Sequence, residues 1–384
     1  MRKICLIIVM ALLPVISDAV SDMPYLPVNA AALRPQRTAA FTFAVLGDFR
    51  PAERDRPYSR VSREIFGDLK VIGPSFIVSV GDAYYGYGGS FPRFRNEIDY
   101  FVSRTKRFGV PFFDVIGNHE LGGKGEREAY VRERFGKFYG SFDWGNSHFV
   151  VLNTEEKDRR GGIYGAQLKW LERDLAVNGK SENIFVFMHR PLFPVSAEDV
   201  GERRFFADRR NRDTLHALFR RFGVRAVFAG HEHLFHEKVL DGIRYIITGG
   251  GGAPLYQNRS NGGFYHYLLV NVKGRHVSIE TLTPDSVTVH YVSGNDGFDG
   301  ETVVEVFNTS PADIGIGNLE IKMPLADAAR YRVTAESLSR ERSTGGFYAE
   351  IGKITDHGNG TATVSVKTHI GPKGRLRVTV RADI

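Results

Sequence analysis

Five times between residues 41 and 233 an apolar run stops abruptly at small or polar residues with metal-binding or acid–base character. The runs 41–46, 76–80, 112–116, 184–188 and 224–229 lead into Gly47-Asp48, Gly81-Asp82-Ala83-Tyr84-Tyr85, Gly117-Asn118-His119-Glu120, His189 and Gly230-His231-Glu232-His233. Short apolar runs bounded by turn residues read as buried strands. Amphipathic stretches near 58–72 and 91–107 separate the first three, and strand–helix alternation of this kind predicts an α/β architecture. In open α/β sheets functional groups collect just beyond the carboxyl ends of the strands. Side chains from five distant turns are therefore predicted to meet at one sheet edge.

The donors in these turns are Asp48, Asp82, Asn118, His189, His231, His233 and the phenol of Tyr85. They supply enough oxygen and nitrogen ligands for two metal ions. Mixed carboxylate, amide and imidazole donors suit hard-to-borderline cations, and the lack of thiolates argues against a structural Cys-type zinc site. Two adjacent metals in an open site are a common device for hydrolysing phosphate esters. An amide ligand such as Asn118 adds no charge and leaves its ion more electrophilic. In Gly-His-x-His the two imidazoles are two residues apart, so a local turn has to splay them toward different ions.

Taken together, these motifs resemble the metallophosphoesterase (calcineurin-like) superfamily, and within it the purple acid phosphatase branch. The resemblance covers Asp48 to His233. It implies a metallophosphoesterase-type αββα sandwich over about 39–293. By the same resemblance Asp82 bridges the two ions; Asp48, Tyr85 and His233 hold the first; and Asn118, His189 and His231 hold the second. His119 stands beside the substrate without ligating. The implied reaction is hydrolysis of a small phosphate monoester by metal-bound hydroxide. A phosphodiesterase acting on nucleotides, lipids or polymers is one alternative. An exported binding protein with a degenerate metal domain is another.

Tyr85 and Arg50 decide the finer reading. A phenol with pKa ~10 loses its proton at a cost of about 4 kcal/mol at neutral pH, which a trivalent cation offsets. That favours Fe(III) in the first site, and the resemblance implies Fe(II), Zn or Mn as its partner. The wider superfamily has Asp-x-His at the first motif and the purple branch has Asp-x-Gly, whereas this chain has Asp48-Phe49-Arg50. Arginine cannot ligate a metal. Either Tyr85 replaces the missing histidine while Arg50 reaches toward phosphate, or the first site is weakened and the charge of Arg50 partly stands in for it.

The flanks carry other information. Residues 1–19 read as a secretory signal: Arg2 and Lys3, an apolar stretch over 4–16 broken by Pro14, then Ser17-Asp18-Ala19. The stretch is too short for a convincing span, so no stable membrane span is expected in the mature chain, and export to a periplasm or the medium is. The single cysteine, Cys5, falls inside this segment, which leaves the mature chain without thiols. Residues 20–38 form a lead-in without a clear period. Over 294–384, short strands separated by turns predict a β-sandwich without a ligand cluster; sequence does not name its partner. The formal charge of +7 comes with no RNA-binding motif or zinc-finger spacing, so nucleic acid is not an expected partner.

Two stretches border the expected site. The arginines at 190, 203, 204, 209, 210 and 212 read either as a lid or anion funnel or as a solvated loop. The glycines at 249–252 follow an apparent strand over 239–248 and invite close backbone approach to substrate. His148, His216 and His266 read as structural. His236 lies near the last ligand turn.

Overall fold

The computed structural model describes residues 24–31, 38–54, 56–121, 125–157, 159–195, 208–338 and 348–383. The signal-like segment and the arginines at 203 and 204 lie outside the described residues.

The first sheet has the order β11-β10-β1-β2-β3. In it β1 (Ala40–Leu46), β2 (Phe76–Ser79) and β3 (Phe112–Asp114) are parallel, while β10 (Tyr267–Lys273) and β11 (His276–Leu282) close one side antiparallel. The second sheet has the order β4-β5-β6-β7-β9-β8. Its centre is the parallel set β5 (Ser147–Val151), β6 (Asn183–Phe187), β7 (Ala226–Ala229) and β9 (Ile243–Thr248), edged by antiparallel β4 (Gly140–Trp144) and β8 (Phe235–Leu240).

Side chains alternate faces along a strand, and here both faces are apolar. Phe41, Phe43 and Val45 of β1 enter the layer between the sheets, where Phe76, Phe113, Phe149, Phe185 and Phe228 meet them. Phe43 stacks on Phe76 with centroids 5.1 Å apart and meets Phe185 edge-on at 5.3 Å. Each fully buried ring of this kind contributes about 1.5–3 kcal/mol. The opposite faces take the helices. Ala44, Leu46 and Ile77 pack beneath α1 (Arg60–Ile72), α2 (Phe91–Thr105) and α4 (Glu126–Phe135); Val150, Ile184, Val186 and Val227 pack beneath α5 (Gly165–Asn178) and α6 (Arg209–Arg221). The result is the expected αββα sandwich. The short α3 (Asn118–Leu121) is the ligand turn after β3.

The C-terminal region has two further sheets, β12-β13-β18-β15 and β14-β17-β16. Their strands are β12 (Val287–Tyr291), β13 (Glu301–Asn308), β14 (Ile314–Pro324), β15 (Tyr331–Ser337), β16 (Ala349–Asp356), β17 (Thr361–Ile370) and β18 (Arg375–Ala382). This corrects the boundary expected at residue 294: β12 lies before it, yet pairs with β13 from Val287↔Asn308 to Tyr291↔Val304. The expected strand over 239–248 is also two strands, because Asp241-Gly242, with φ of 49° and 79°, turns the chain into the β8–β9 hairpin. The lead-in is anchored as well. Tyr25 is buried, its N–H donates to Ser141 O at 2.8 Å and its hydroxyl to Asp114 O at 2.6 Å.

Helix α1 joins the sandwich to the layers of the two central sheets. Ser59 caps it by accepting the N–H of Ser62 at 3.1 Å, Ile65, Leu69 and Ile72 form its buried stripe, and Gly73 ends it with φ 60°. That stripe shares one apolar core with Val304, Ile314, Ile316 and Val366 of the C-terminal sheets. Buried Asp68 accepts from Tyr267 Oη at 2.9 Å and from Ser286 N at 3.0 Å. Burial pushes its carboxyl up to about 7.

Candidate metal centre

The turns after β1, β2, β3, β6 and β7 come together at one edge of the two central sheets, and six of the expected donors meet there. Asp48, Asp82 and His233 each place an atom within 4.8 Å of the others. His233 Nε2 lies 3.3 Å from Asp48 Oδ1, an oxygen without a hydrogen-bond partner. On the other side of Asp82, His189 Nε2 lies 3.4 Å from Asp82 Oδ1, 3.1 Å from Asn118 Oδ1 and 3.2 Å from His231 Nδ1. Metal–ligand bonds of ~2.0–2.2 Å put neighbouring donors about 3.0–3.5 Å apart, so the donors around His189 and the Asp48–His233 pair have the spacing of a ligand shell. Asp82 belongs to both.

Local backbone explains the convergence. Asp48, Asp82 and His231 have left-handed φ of 54°, 57° and 68°, a conformation that costs non-glycine residues of order 1–3 kcal/mol unless neighbours enforce it. The neighbours here are hydrogen bonds: Asp48 Oδ2 accepts the N–H of His231 at 2.9 Å, and Asp82 Oδ1 accepts that of His119 at 3.0 Å. The glycines that open the motifs let the loops crowd. A Cβ on Gly117 would meet Asp82 Oδ1 at 2.5 Å, and one on Gly230 would meet Asp48 Oδ2 at 2.4 Å.

His189 and His233 are each held through the far nitrogen, the arrangement that leaves the near one for a metal. His189 Nδ1–H donates to Val80 O at 2.8 Å and His233 Nδ1–H to Pro254 O at 2.5 Å. His231 Nε2 accepts from Arg190 Nη1 at 3.1 Å. Burial, opposed by the charges of His189, His119 and Arg50, leaves the Asp82 carboxyl well below the usual range. Burial, with His189 and Arg190 adding to it, drives the His231 imidazole well down. For His233 burial is outweighed by the adjacent Asp48 carboxylate, and its pKa rises.

His119 lies outside both clusters. Its Nε2 points at Asp82 Oδ2 from 3.7 Å, its Nδ1 pairs with Tyr85 O, and burial lowers its pKa. Arg50 reaches the same oxygen: its Nε, buried and without a hydrogen bond, lies 3.9 Å from Asp82 Oδ2, and its side chain is 11% exposed. Tyr85 is placed differently from the six. Its ring stands 5.9 Å from that of His119 and under the Arg54 guanidinium at 5.2 Å. Among the described residues no hydrogen bond links its hydroxyl to Asp48, Asp82 or His233.

Two residues that shape the site were not singled out from sequence. Buried Glu120 accepts the N–H groups of Asp82 at 2.9 Å, Ala83 at 2.7 Å and Gly117 at 2.7 Å, tying the second turn to the third. Its signal was its place in Gly-Asn-His-Glu. Glu155, just beyond β5, forms a bidentate pair with Arg190 at 2.5 and 2.9 Å. Arg190 itself is 5% exposed, so it belongs to neither a lid nor a solvated loop. Arg209 and Arg210 sit exposed on the first turn of α6. The glycines at 249–252 make their close approaches to protein: a Cβ on Gly251 would meet Gly47 O at 2.4 Å, and one on Gly249 would meet Glu232 O at 2.1 Å. His148, His216 and His266 are engaged in internal hydrogen bonds. His236 lies at the start of β8 and lines a separate surface cavity.

The sequence profile of calcineurin-like phosphoesterases matches residues 41–235, just over half of the chain. Serine/threonine-protein phosphatase CPPED1 of Rattus norvegicus is 31% identical over 192 residues, which are 47% of this chain and 61% of that protein. Tartrate-resistant acid phosphatase type 5 of Mus musculus is 25% identical over 270 residues, covering 61% and 80%. The chain thus spans about three fifths of the CPPED1 relatives. Among solved structures, the purple acid phosphatase PPD1 of yellow lupin (Lupinus luteus) seeds aligns with a TM-score of 0.49 at 18% identity, over 73% of this chain and 53% of that one. The matched span opens on β1, closes at the start of β8 and encloses all six converging donors; the chain belongs to the calcineurin-like phosphoesterase family.

Proposed function

We propose that this chain is an exported binuclear-metal phosphatase of the purple acid phosphatase type, acting on small phosphate monoesters. The observation that carries the reading is the sharing of Asp82 between two donor clusters, one with Asp48 and His233, the other with Asn118, His189 and His231. A carboxylate with one oxygen for each of two cations holds them close and screens their repulsion. Bound there, two cations would neutralise phosphate oxygens and acidify a water for in-line attack. The protein's own part is orientation. Arg50, with its unpaired Nε facing the same oxygen of Asp82 as His119, is placed to take a phosphate oxygen. His119 is placed to hold or deliver a proton at the leaving oxygen through Nε2, because Nδ1 is engaged by Tyr85 O. Fe(III) with Fe(II), Zn or Mn is the proposed pair and rests on Tyr85 as a phenolate ligand. Support for a monoester substrate comes from relatives that are named phosphatases.

The test is elemental analysis with a visible spectrum on protein purified from its own compartment, alongside paired assays on monoester and diester substrates. Two ions per chain and monoester turnover are expected, with a phenolate-to-iron absorption band if Tyr85 ligates. Asp82→Asn should lower turnover by about three orders of magnitude or more; near-normal activity in that variant would overturn the reading. Export rests on the signal-like residues 1–19. Mapping of the mature N-terminus checks it, with a start just after Ala19 as the expected result.

A further inference from the structure

We propose that Arg190 is a positioning residue that makes the second metal site the weaker, exchangeable one, because it holds His231 in the tautomer that turns an N–H group toward the cation. The inference rests on the binuclear reading above and extends it to the order in which the two sites fill.

A neutral imidazole has one N–H and one lone pair, and only the lone pair can ligate. Which nitrogen keeps the proton is set by the hydrogen bond that the other makes. For His231 one partner leaves no choice. A guanidinium has only donors and stays charged, so His231 Nε2, 3.1 Å from Arg190 Nη1, carries the lone pair. The proton is then on Nδ1, the nitrogen that faces the second cluster. Its neighbour there agrees. His189 Nδ1 lies 2.8 Å from Val80 O, a carbonyl that can only accept, so His189 Nε2 carries a lone pair and takes the His231 Nδ1–H at 3.2 Å. The bonds run in one direction, from Arg190 through His231 and His189 to the carbonyl of Val80.

The first site has no such obstacle. In the neutral ring of His233, Nδ1–H donates to Pro254 O at 2.5 Å, so the lone pair is on Nε2, the nitrogen that faces Asp48. The second shell instead presents a proton where a ligand is needed. To ligate as a neutral ring, His231 has to carry its proton on Nε2, where it confronts an N–H of Arg190. Arg190 is poorly placed to turn aside. Glu155 engages its Nε at 2.5 Å and its Nη2 at 2.9 Å, which fixes the plane of the fork and points Nη1 at His231. The backbone N–H of Arg190 donates to Thr154 Oγ1 at 3.1 Å. Arg190 is 5% exposed and Glu155 1%, so the pair is packed in the protein rather than free to swing into solvent.

Two measurements test this. The first is nitrogen NMR of chelator-stripped wild-type protein labelled in histidine, with the His231 signals assigned from a His231→Asn variant. The proton is expected on Nδ1; a proton on Nε2 overturns the inference. The second is calorimetric titration of stripped protein with Mn(II), run on wild type, Arg190→Gln and Glu155→Gln/Arg190→Gln. Glutamine can offer an oxygen to Nε2–H, so it tolerates either tautomer. The double variant removes one charge of each sign, so a gain there is not relief of repulsion between Arg190 and the cation. Wild type is expected to take up two ions with unequal affinities. Both variants should tighten the weaker uptake by about 10-fold or more, the worth of one hydrogen bond to a charged group. The stronger uptake should stay within about twofold. A double variant whose weaker uptake equals that of wild type, or falls below it, overturns the inference and leaves the binuclear reading standing. One ion in wild type and two in the double variant would be the extreme form of the expected result. Fewer than two ions in every protein overturns the binuclear reading itself, and the inference with it.

Discussion

At the scale of single residues, the donors of this site were legible because they are the motif: Asp, Asn and His are scarce among apolar runs, and five such turns in order leave little room for chance. What supports them was not, because its chemistry is generic. Glu120 reads as one more acid on a helix; only the fold reveals three N–H groups from two loops converging on it. Arg190 read as the first of a series forming a lid, an anion funnel or a solvated loop, yet Glu155 holds it buried against His231. Burial, with Asp114 and Asp82 beside it, pushes the Glu120 carboxyl well up, while its three donors favour the charged form. Glu120→Gln keeps the shape but sets an NH2 group against a backbone N–H. It is expected to cost about 1–3 kcal/mol, measured by urea denaturation, and to lower metal uptake measured by elemental analysis.

At the scale of elements, the strands that end in ligands were read correctly because they are buried on both faces and form unbroken apolar runs. Strand β4 was passed over although Phe142 and Trp144 alternate with Ser141 and Asp143 ahead of the Gly145-Asn146 turn, and β5 was read only as a strand-like run around His148. A half-polar edge strand gives a weaker signal than a central one. These two strands carry a strongly pH-sensitive fastening apart from the metal centre. His148 of β5 lies between Asp143 of β4 at 2.7 Å and Asp174 of α5 at 2.8 Å. Burial opposes protonation, but both carboxylates favour it, and the imidazole rises to about 9. A raised pKa means that the stabilisation is complete below the unfolded value of ~6.5 and is lost as pH climbs through about 9. Melting temperatures of wild type and His148→Gln should therefore differ most in mild acid and converge on the alkaline side. A gap that widens with rising pH would contradict the assignment.

At the scale of the whole molecule, the two kinds of architecture were visible from sequence, but the joint between them was not. Periodicity describes one element at a time and cannot show that Ile65, Leu69 and Ile72 face Ile314 and Ile316 across the boundary. Because that core is continuous, the αββα layers and the sandwich are expected to unfold together. Calorimetry should give one transition with equal calorimetric and van't Hoff enthalpies, where an appended domain would give two. A chain ending before Val287 would expose the stripe of α1 and should not yield soluble folded protein.

The same helix is gripped at both ends. Near its start, Ser62 Oγ lies 3.1 Å from Phe49 O and 3.0 Å from Gly251 O and steadies the loop of Asp48; past its end, Gly73 packs against Gly317 and Asn318. One residue added to an α-helix turns everything beyond it by about 100° and shifts it by about 1.5 Å, which would swing Asp68 and Leu69 away from their seats. Descendants of this chain are free to lengthen their outer turns, but the thirteen residues of this rod form a ruler whose count is not open to change.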